Sequence, residues 1–129
     1  MRTGGPGDVL DPSAGIAIAT HALHHPGGCI GYRVNAEGKS VTYLTDLEHT
    51  PGVTDTALVQ FIEASDLLIY DAMFSEAEFA RCRGFGHSTW EEAVRIAALA
   101  NVRRLALFHH SPRLGDDALD AVERAAREK

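Results

Sequence analysis

Histidine and aspartate side chains stand where the predicted strands of this chain begin or end. Asp46, Asp71 and His109 each follow a β-rich or apolar run, His25 precedes one, and His87 lies in a glycine-containing loop. Imidazole nitrogens and carboxylate oxygens are the ligands that first-row divalent metal ions take in proteins. If the loops meet at one edge of a sheet, these five residues predict a metal site.

Each of these residues also has a purely structural interpretation. Their long spacing contains no local ligand motif such as His-Glu-x-x-His. Asp46 and Asp71 could cap turns, and His87 could be a loop residue near a helix start. Three further histidines could be surface residues: His24, His49 and His110. Only the combination of residues favours the metal site.

The first half of the chain is predicted to be β-rich. Residues 1–7 contain three glycines and a proline and are expected to be loosely held, and residues 11–15 are predicted to form a turn. Residues 15–23 alternate as in a strand. Residues 29–34 and 40–45 then form two β-rich runs around a Glu-Gly turn, which indicates a hairpin.

The second half alternates between helices and short strands. The spacing of apolar residues predicts helices over 55–64, 75–82, 88–100 and 116–128, and strands over 66–70 and 105–108. The third helix is the clearest, because Ser88 and Glu91 fit a capping box ahead of alanines and an isoleucine at helical spacing. This order places Asp71 and His109 directly after two buried strands.

Composition limits the kinds of protein that the chain could be. Its 129 residues suffice for one domain with its own core, and its net charge of −6 argues against binding nucleic acid through broad electrostatics. Two cysteines without a Cys-x-x-Cys pair suit a reducing compartment. No apolar run reaches the roughly 20 residues of a membrane span, and no signal peptide is evident. We therefore expect a soluble, cytoplasmic protein.

Four segments together resemble a known family across nearly the whole chain. They are His25-Pro26-Gly27-Gly28 leading into Gly31-Tyr32-Arg33-Val34; Val41 to Asp46; Asp66 to Ala72; and Gly86-His87-Ser88-Thr89 followed by Leu105 to Pro112. In their order and separation they resemble the C-terminal half of metallo-β-lactamase-fold hydrolases, in the branch that contains ribonuclease Z and related phosphodiesterases. The resemblance implies an α+β fold, half of an αββα sandwich. Its sheet would be mostly antiparallel, with helices covering one face.

The resemblance also implies roles for the five candidate residues. His25 would bind one metal of a dinuclear site, Asp46 would bridge both metals, and His109 would bind the second. Asp71, where the family often has glutamate, would orient His87 so that its imidazole can pass a proton to the leaving oxygen. The implied cofactor is a divalent metal, zinc before manganese or iron, which would activate a water against a phosphodiester or related ester.

One part of the family pattern is absent from this sequence. The family's first half carries a His-x-His-x-Asp-His motif, and the cluster from His21 to His25 has neither its aspartate nor its spacing. Each metal would keep two protein ligands, fewer than the three or four that hold catalytic zinc. We therefore expect the chain alone to bind metal weakly and to be inactive, as a truncated product or one piece of a split enzyme.

An isolated half of this fold would leave one sheet face apolar and exposed to water. We expect the chain to cover that face with the missing N-terminal half or with a second copy of itself. The alternative function is a non-catalytic module that acts through oligomerisation or partner binding. A nucleic-acid substrate would follow the ribonuclease Z resemblance, but the charge does not favour it.

Overall fold

Six strands form one mixed sheet in which the spatial order follows the chain, β1-β2-β3-β4-β5-β6. This computed structural model describes residues 5, 7–13 and 15–129. The strands are β1 (Val9–Ser13), β2 (Ile16–Leu23), β3 (Cys29–Ala36), β4 (Lys39–Leu44), β5 (Leu67–Asp71) and β6 (Leu105–Phe108). The first four pair antiparallel, while β5 and β6 add in parallel to β4. The predicted mostly antiparallel sheet is confirmed.

The predicted hairpin joins β3 to β4. Its two-residue turn consists of Glu37 and Gly38, both of which have positive φ angles, of 50° and 72°. Two such residues suit a turn whose twist matches that of the flanking strands. The parallel connections from β4 to β5 and from β5 to β6 contain helices. As a result, the carboxyl ends of β4, β5 and β6 lie at one edge of the sheet.

Four helices accompany the sheet. All but the third begin within one residue of the predicted start. They are α1 (Thr56–Ile62), α2 (Glu76–Cys82), α3 (Trp90–Leu99) and α4 (Asp116–Arg127). The predicted capping box of Ser88 and Glu91 is wrong. Thr89 caps α3 instead, since its side chain accepts a hydrogen bond from the Glu92 amide at 3.1 Å. Ser88, which does not cap the helix, instead contacts residues of the candidate site.

The hydrophobic core lies between the sheet and helices α1 and α3. The strands contribute Leu23, Leu44, Leu68 and Tyr70; the helices and the turn after α3 contribute Leu58, Ile62, Ala93, Ile96, Ala97 and Ala100. The alanines of α3 lie against the sheet, as their helical spacing predicted. Gly31 on β3 leaves the space that Leu44 fills, because a Cβ atom there would overlap Leu44 Cδ2.

Replacing Gly31 with alanine is therefore expected to destabilise the fold. Leu44 is fully buried and Leu23 nearly so, and the new methyl group would also lie 3.3 Å from Leu23 Cδ2. Overpacking of this kind costs about 1–3 kcal/mol, which urea denaturation would measure. Gly115→Ala is the control, since no atom lies within 4 Å of the place that a Cβ atom would take on Gly115. Equal stabilities would contradict the expectation.

The opposite side of the sheet carries a continuous set of apolar side chains, here called the open face. Strand register places these residues on it: Ile16, Ile18, Tyr32, Val34, Val41, Tyr43, Ile69, Ala106 and Phe108. Five of the nine are between 36% and 50% exposed. The Tyr43 and Phe108 rings lie 6.2 Å apart across it. The expectation that helices cover one face of the sheet and leave the other apolar agrees with this arrangement.

The amino-terminal region differs from its prediction. The turn predicted over residues 11–15 is shorter than expected, because β1 continues through Ser13, which pairs with Ile16. The chain reverses between these two residues, where Gly15 has a positive φ angle of 87°. The loose segment predicted over residues 1–7 falls mainly outside the described residues. Gly7, which is described, donates a backbone hydrogen bond to the Thr20 carbonyl at 3.1 Å. Among the described helices, none has the length and apolar composition needed to cross a membrane.

Candidate metal centre

Three site residues come from the carboxyl ends of the parallel strands. Asp46 lies two residues beyond β4, Asp71 is the last residue of β5, and His109 directly follows β6. Asp46 and His109 have positive φ angles of 59° and 57°. Such angles are uncommon outside glycine and collect at functional sites. The chain thus turns sharply at both strand ends and brings these side chains together.

Asp46, His87 and His109 form a cluster with the donor set of a metal site. One ligand atom from each lies within 4.8 Å of the others, and all three side chains are half-buried. His109 Nδ1 lies 3.8 Å from Asp46 Oδ1. One carboxylate oxygen and two imidazole nitrogens are donors that zinc, manganese and iron accept. The residues present therefore fit a divalent metal.

Asp71 connects the three residues of this cluster through hydrogen bonds. Its fully buried carboxylate accepts hydrogen bonds through Oδ2 from His87 Nδ1 at 2.9 Å, His109 Nδ1 at 3.1 Å and the Asp46 amide at 2.9 Å. Oδ1 accepts from the amides of Met73 and Ser88, at 3.1 and 3.2 Å. One buried carboxylate thus contacts all three residues of the cluster.

The sequence predicted one of these contacts. Asp71 was expected to orient His87, and the two are in contact although aspartate is shorter than the family's glutamate. The hydrogen bond to His109 has no counterpart in that prediction. Because an ionised carboxylate only accepts, each histidine donates from Nδ1 and keeps Nε2 available. His87 therefore has one nitrogen for two possible roles, metal ligand or proton donor.

His25 lies beside this cluster. Its ring is 6.3 Å from that of His87, centroid to centroid, and nearly perpendicular to it. His25 Nδ1 accepts a hydrogen bond from the Gly27 amide at 3.1 Å, which leaves Nε2 available. The ligand role of His25 stays a prediction, because its nitrogens are not among the three clustered ligand atoms.

His24 and His110 make their hydrogen-bond contacts outside the cluster. His24 is exposed, and its Nδ1 lies 3.1 Å from the Glu48 carbonyl oxygen. His110 Nε2 lies 3.1 Å from the Leu107 carbonyl oxygen, and its buried Nδ1 has no partner among the described residues. Neither supplies a ligand to the cluster in this arrangement.

His49 is not a simple surface residue. Its ring stacks on Phe79, 4.2 Å between centroids, and its Nδ1 lies 2.8 Å from Ser88 Oγ. Burial lowers the pKa of His49 below its usual value near 6.5, although Glu92 and Glu76 oppose the shift. The Ser88 amide in turn donates a hydrogen bond to Asp71. His49 is therefore connected to the candidate site through Ser88.

This lowered pKa predicts a pH-dependent stability. Below pH 6.5 the unfolded chain binds a proton at His49 more readily than the folded chain, so stability falls as pH drops towards the folded-state pKa. His49→Gln removes this contribution and should weaken the dependence. Urea midpoints of both proteins at several values between about pH 7.5 and 5 would measure it. Parallel curves would contradict the assignment.

Comparison with known proteins identifies the family. A family model described as a beta-lactamase superfamily domain matches residues 10–110. The chain belongs to this superfamily. Ribonuclease Z of Bradyrhizobium sp. strain ORS 278 is 35% identical over 110 residues, which are 85% of this chain and 32% of that protein.

Solved structures agree with this assignment. The metallo-β-lactamase fold protein YhfI from Bacillus subtilis superposes with a TM-score of 0.81 at 24% identity, over 98% of this chain and 48% of that one. The short form of human tRNase Z gives a TM-score of 0.68 at 28% identity, over 81% and 39%. The predicted family and fold are thereby confirmed. The chain spans less than a third of the curated relatives that it matches and about half of YhfI.

Proposed function

We propose that this chain supplies the C-terminal half of a metal-dependent hydrolase that acts on a phosphodiester or a related ester. The observation that carries the proposal is the cluster of Asp46, His87 and His109, which Asp71 connects from below. Similarity to ribonuclease Z supports the substrate class. Zinc is the metal we favour, with manganese or iron as alternatives.

The chain's own residues then have defined tasks. A bound divalent metal would supply an activated water near neutral pH and would polarise the phosphoryl oxygen. Asp46 and His109 would hold the metal, and Asp71 would keep Nε2 of His109 directed away from the carboxylate. His87, held through Nδ1 by the same carboxylate, would hold a proton at Nε2 and give it to the leaving oxygen.

Metal content tests this proposal. Because only part of the ligand set is present, elemental analysis of the purified chain should detect zinc, manganese or iron at less than one ion per chain, and His109→Ala should remove it. His110→Gln is the matched control, because this neighbouring histidine contacts the Leu107 carbonyl and not the cluster. His87→Ala separates its two roles: loss of metal identifies a ligand, whereas retained metal fits the proton donor. Metal that persists in His109→Ala would contradict the site.

The open face supports a further part of the proposal. Asp71 on β5 is paired with Phe108 on β6, and Phe108 belongs to the open face. The cluster that Asp71 contacts therefore lies at the edge of that face. A second β-layer packed on that face would reach the cluster and could add the ligands that the sequence lacks. We propose the complementary half of the fold for this position, with a second copy of the chain as the alternative.

The second candidate function is a non-catalytic module that works through association. The exposed apolar face favours it, since patches above a few hundred Å² commonly mark interfaces. Hydrolysis of bis(p-nitrophenyl) phosphate distinguishes the two candidates when the chain is mixed with the complementary half of a relative. Zinc-dependent turnover that His109→Ala abolishes supports the hydrolase. Association without turnover supports the module.

A further inference from the structure

Glu48 lies in the loop after β4 and contacts the loop that precedes His87. Its carboxylate oxygen Oε2 accepts hydrogen bonds from the amides of Gly84 at 2.7 Å and Gly86 at 3.1 Å. Both glycines have positive φ angles, of 85° and 82°. The carboxylate therefore fixes a loop whose backbone could otherwise adopt many conformations.

The backbone of the same residue contacts the loop that carries His25. The Glu48 amide donates to the His24 carbonyl oxygen at 2.7 Å, and His24 Nδ1 lies 3.1 Å from the Glu48 carbonyl oxygen. Glu48 is thus hydrogen-bonded on one side to the residue before His25. On the other side it is bonded to the residue before His87.

The two loops also touch directly at Gly86. This glycine is buried, and a Cβ atom on it would lie 2.5 Å from His25 Nε2 and 2.9 Å from Pro26 Cδ. The His25 ring consequently lies against bare backbone, which Glu48 holds in place. The position of Gly86 sets how closely His25 can approach His87.

We infer that Glu48 is a positioning residue that fixes the separation between His25 and His87. It acts through the Gly86 backbone and through His24. The inference relies on the proposed function for the use of these two histidines. Its geometry can be measured on the metal-free chain, where it succeeds or fails independently of hydrolysis.

NMR of the imidazole rings in the metal-free chain tests this inference. In Glu48→Ala we expect the NOE between the His25 and His87 rings to be lost and the ring resonances of both to shift. The His109 resonances should change little, because Asp71 holds that ring. Glu48→Gln keeps a carbonyl acceptor and should retain most of the NOE intensity. Glu63→Ala is the control, since the Glu63 side chain is exposed on the far end of α1.

Zinc affinity gives a second readout besides activity. Displacement of His25, whose role as a metal ligand is predicted, should weaken zinc binding by about 10-fold in Glu48→Ala, the lower end of the loss that supporting residues around metal sites cause. Glu48→Gln should bind with nearly wild-type affinity. Competition with a chromophoric chelator would measure both. If the wild-type chain alone binds no zinc, as a half-site that lacks part of its ligand set would, the NMR result still decides the role of Glu48.

A purely structural role for Glu48 would give a different pattern. Glu48→Ala would then lower the urea midpoint while the His25–His87 NOE and ring resonances stayed unchanged in the folded protein, and that result would overturn the inference. If Glu48→Ala does not fold, Glu48→Asp replaces it, because the shorter side chain keeps the charge but not the reach. Unchanged rings in Glu48→Asp and Glu48→Gln together would also overturn it.

Discussion

Replacing Asp71 with asparagine is expected to lower the free energy of unfolding by about 1–3 kcal/mol for each buried donor that it leaves without an acceptor. Five donors converge on the two oxygens of Asp71, which has no exposed surface. Asparagine has the same shape, but its NH₂ group would face some of these donors. Against a typical total of about 5–15 kcal/mol, this is a large loss.

The same substitution should also weaken metal binding by about 10–100-fold, since both cluster histidines lose their common acceptor. Urea denaturation and chelator competition measure the two effects. Asp117→Asn is the control, because Asp117 is exposed in the first turn of α4 and its loss should cost less than about 1 kcal/mol. If Asp71→Asn and Asp117→Asn were equally stable, Asp71 would not organise the site.

Association of the purified chain through its open face is the second large effect that we expect. Alone in solution, the chain can cover this face only with another copy, so its apparent mass should rise with concentration in the micromolar range. The double substitution Tyr43→Lys with Phe108→Lys places two charges on the face and should give a monomer. Size-exclusion chromatography with light scattering measures the change.

Phe85 provides a matched control for this experiment. It is 63% exposed, more than Phe108 at 50%, but it lies in the loop before His87 and not on the open face. Phe85→Lys should leave association unchanged if the face drives it. A wild-type chain that remains a monomer throughout the micromolar range would contradict the role assigned to the open face.

The strand-end residues could be predicted from the sequence because their positions follow from secondary structure. Once β5 and β6 were placed, Asp71 and His109 had to lie at the same sheet edge. The bond from Asp71 to His109 could not be predicted, since it depends on the left-handed turn at His109. Glu48 was missed for a similar reason: its partners are backbone amides of distant glycines, which leave no pattern of side-chain types.

In the fold, too, regular elements could be predicted from the sequence, whereas the exact positions of turns and helix ends could not. Alternation revealed β2, and the alanine spacing of α3 revealed its buried side. Pro12 and Gly15 predicted a turn over residues 11–15, and the chain does reverse at Gly15. Pro12 lies within β1 instead, because an edge strand tolerates a proline that an inner strand would not. The start of α3 was misplaced by one residue, since Ser88 and Thr89 are both good capping residues.

The sequential order of the six strands bears on how the protein forms. Every strand pairs with the strand that precedes it in the chain, so no strand has to be inserted between two others. The antiparallel pairs of β1 to β4 are local in sequence, which favours rapid formation, whereas the parallel pairs β4–β5 and β5–β6 join segments separated by helical crossovers and form more slowly. Strands can join the growing edge as they leave the ribosome. The open face would then exist before anything covers it, and assembly, more than folding, would be the concentration-dependent step of maturation.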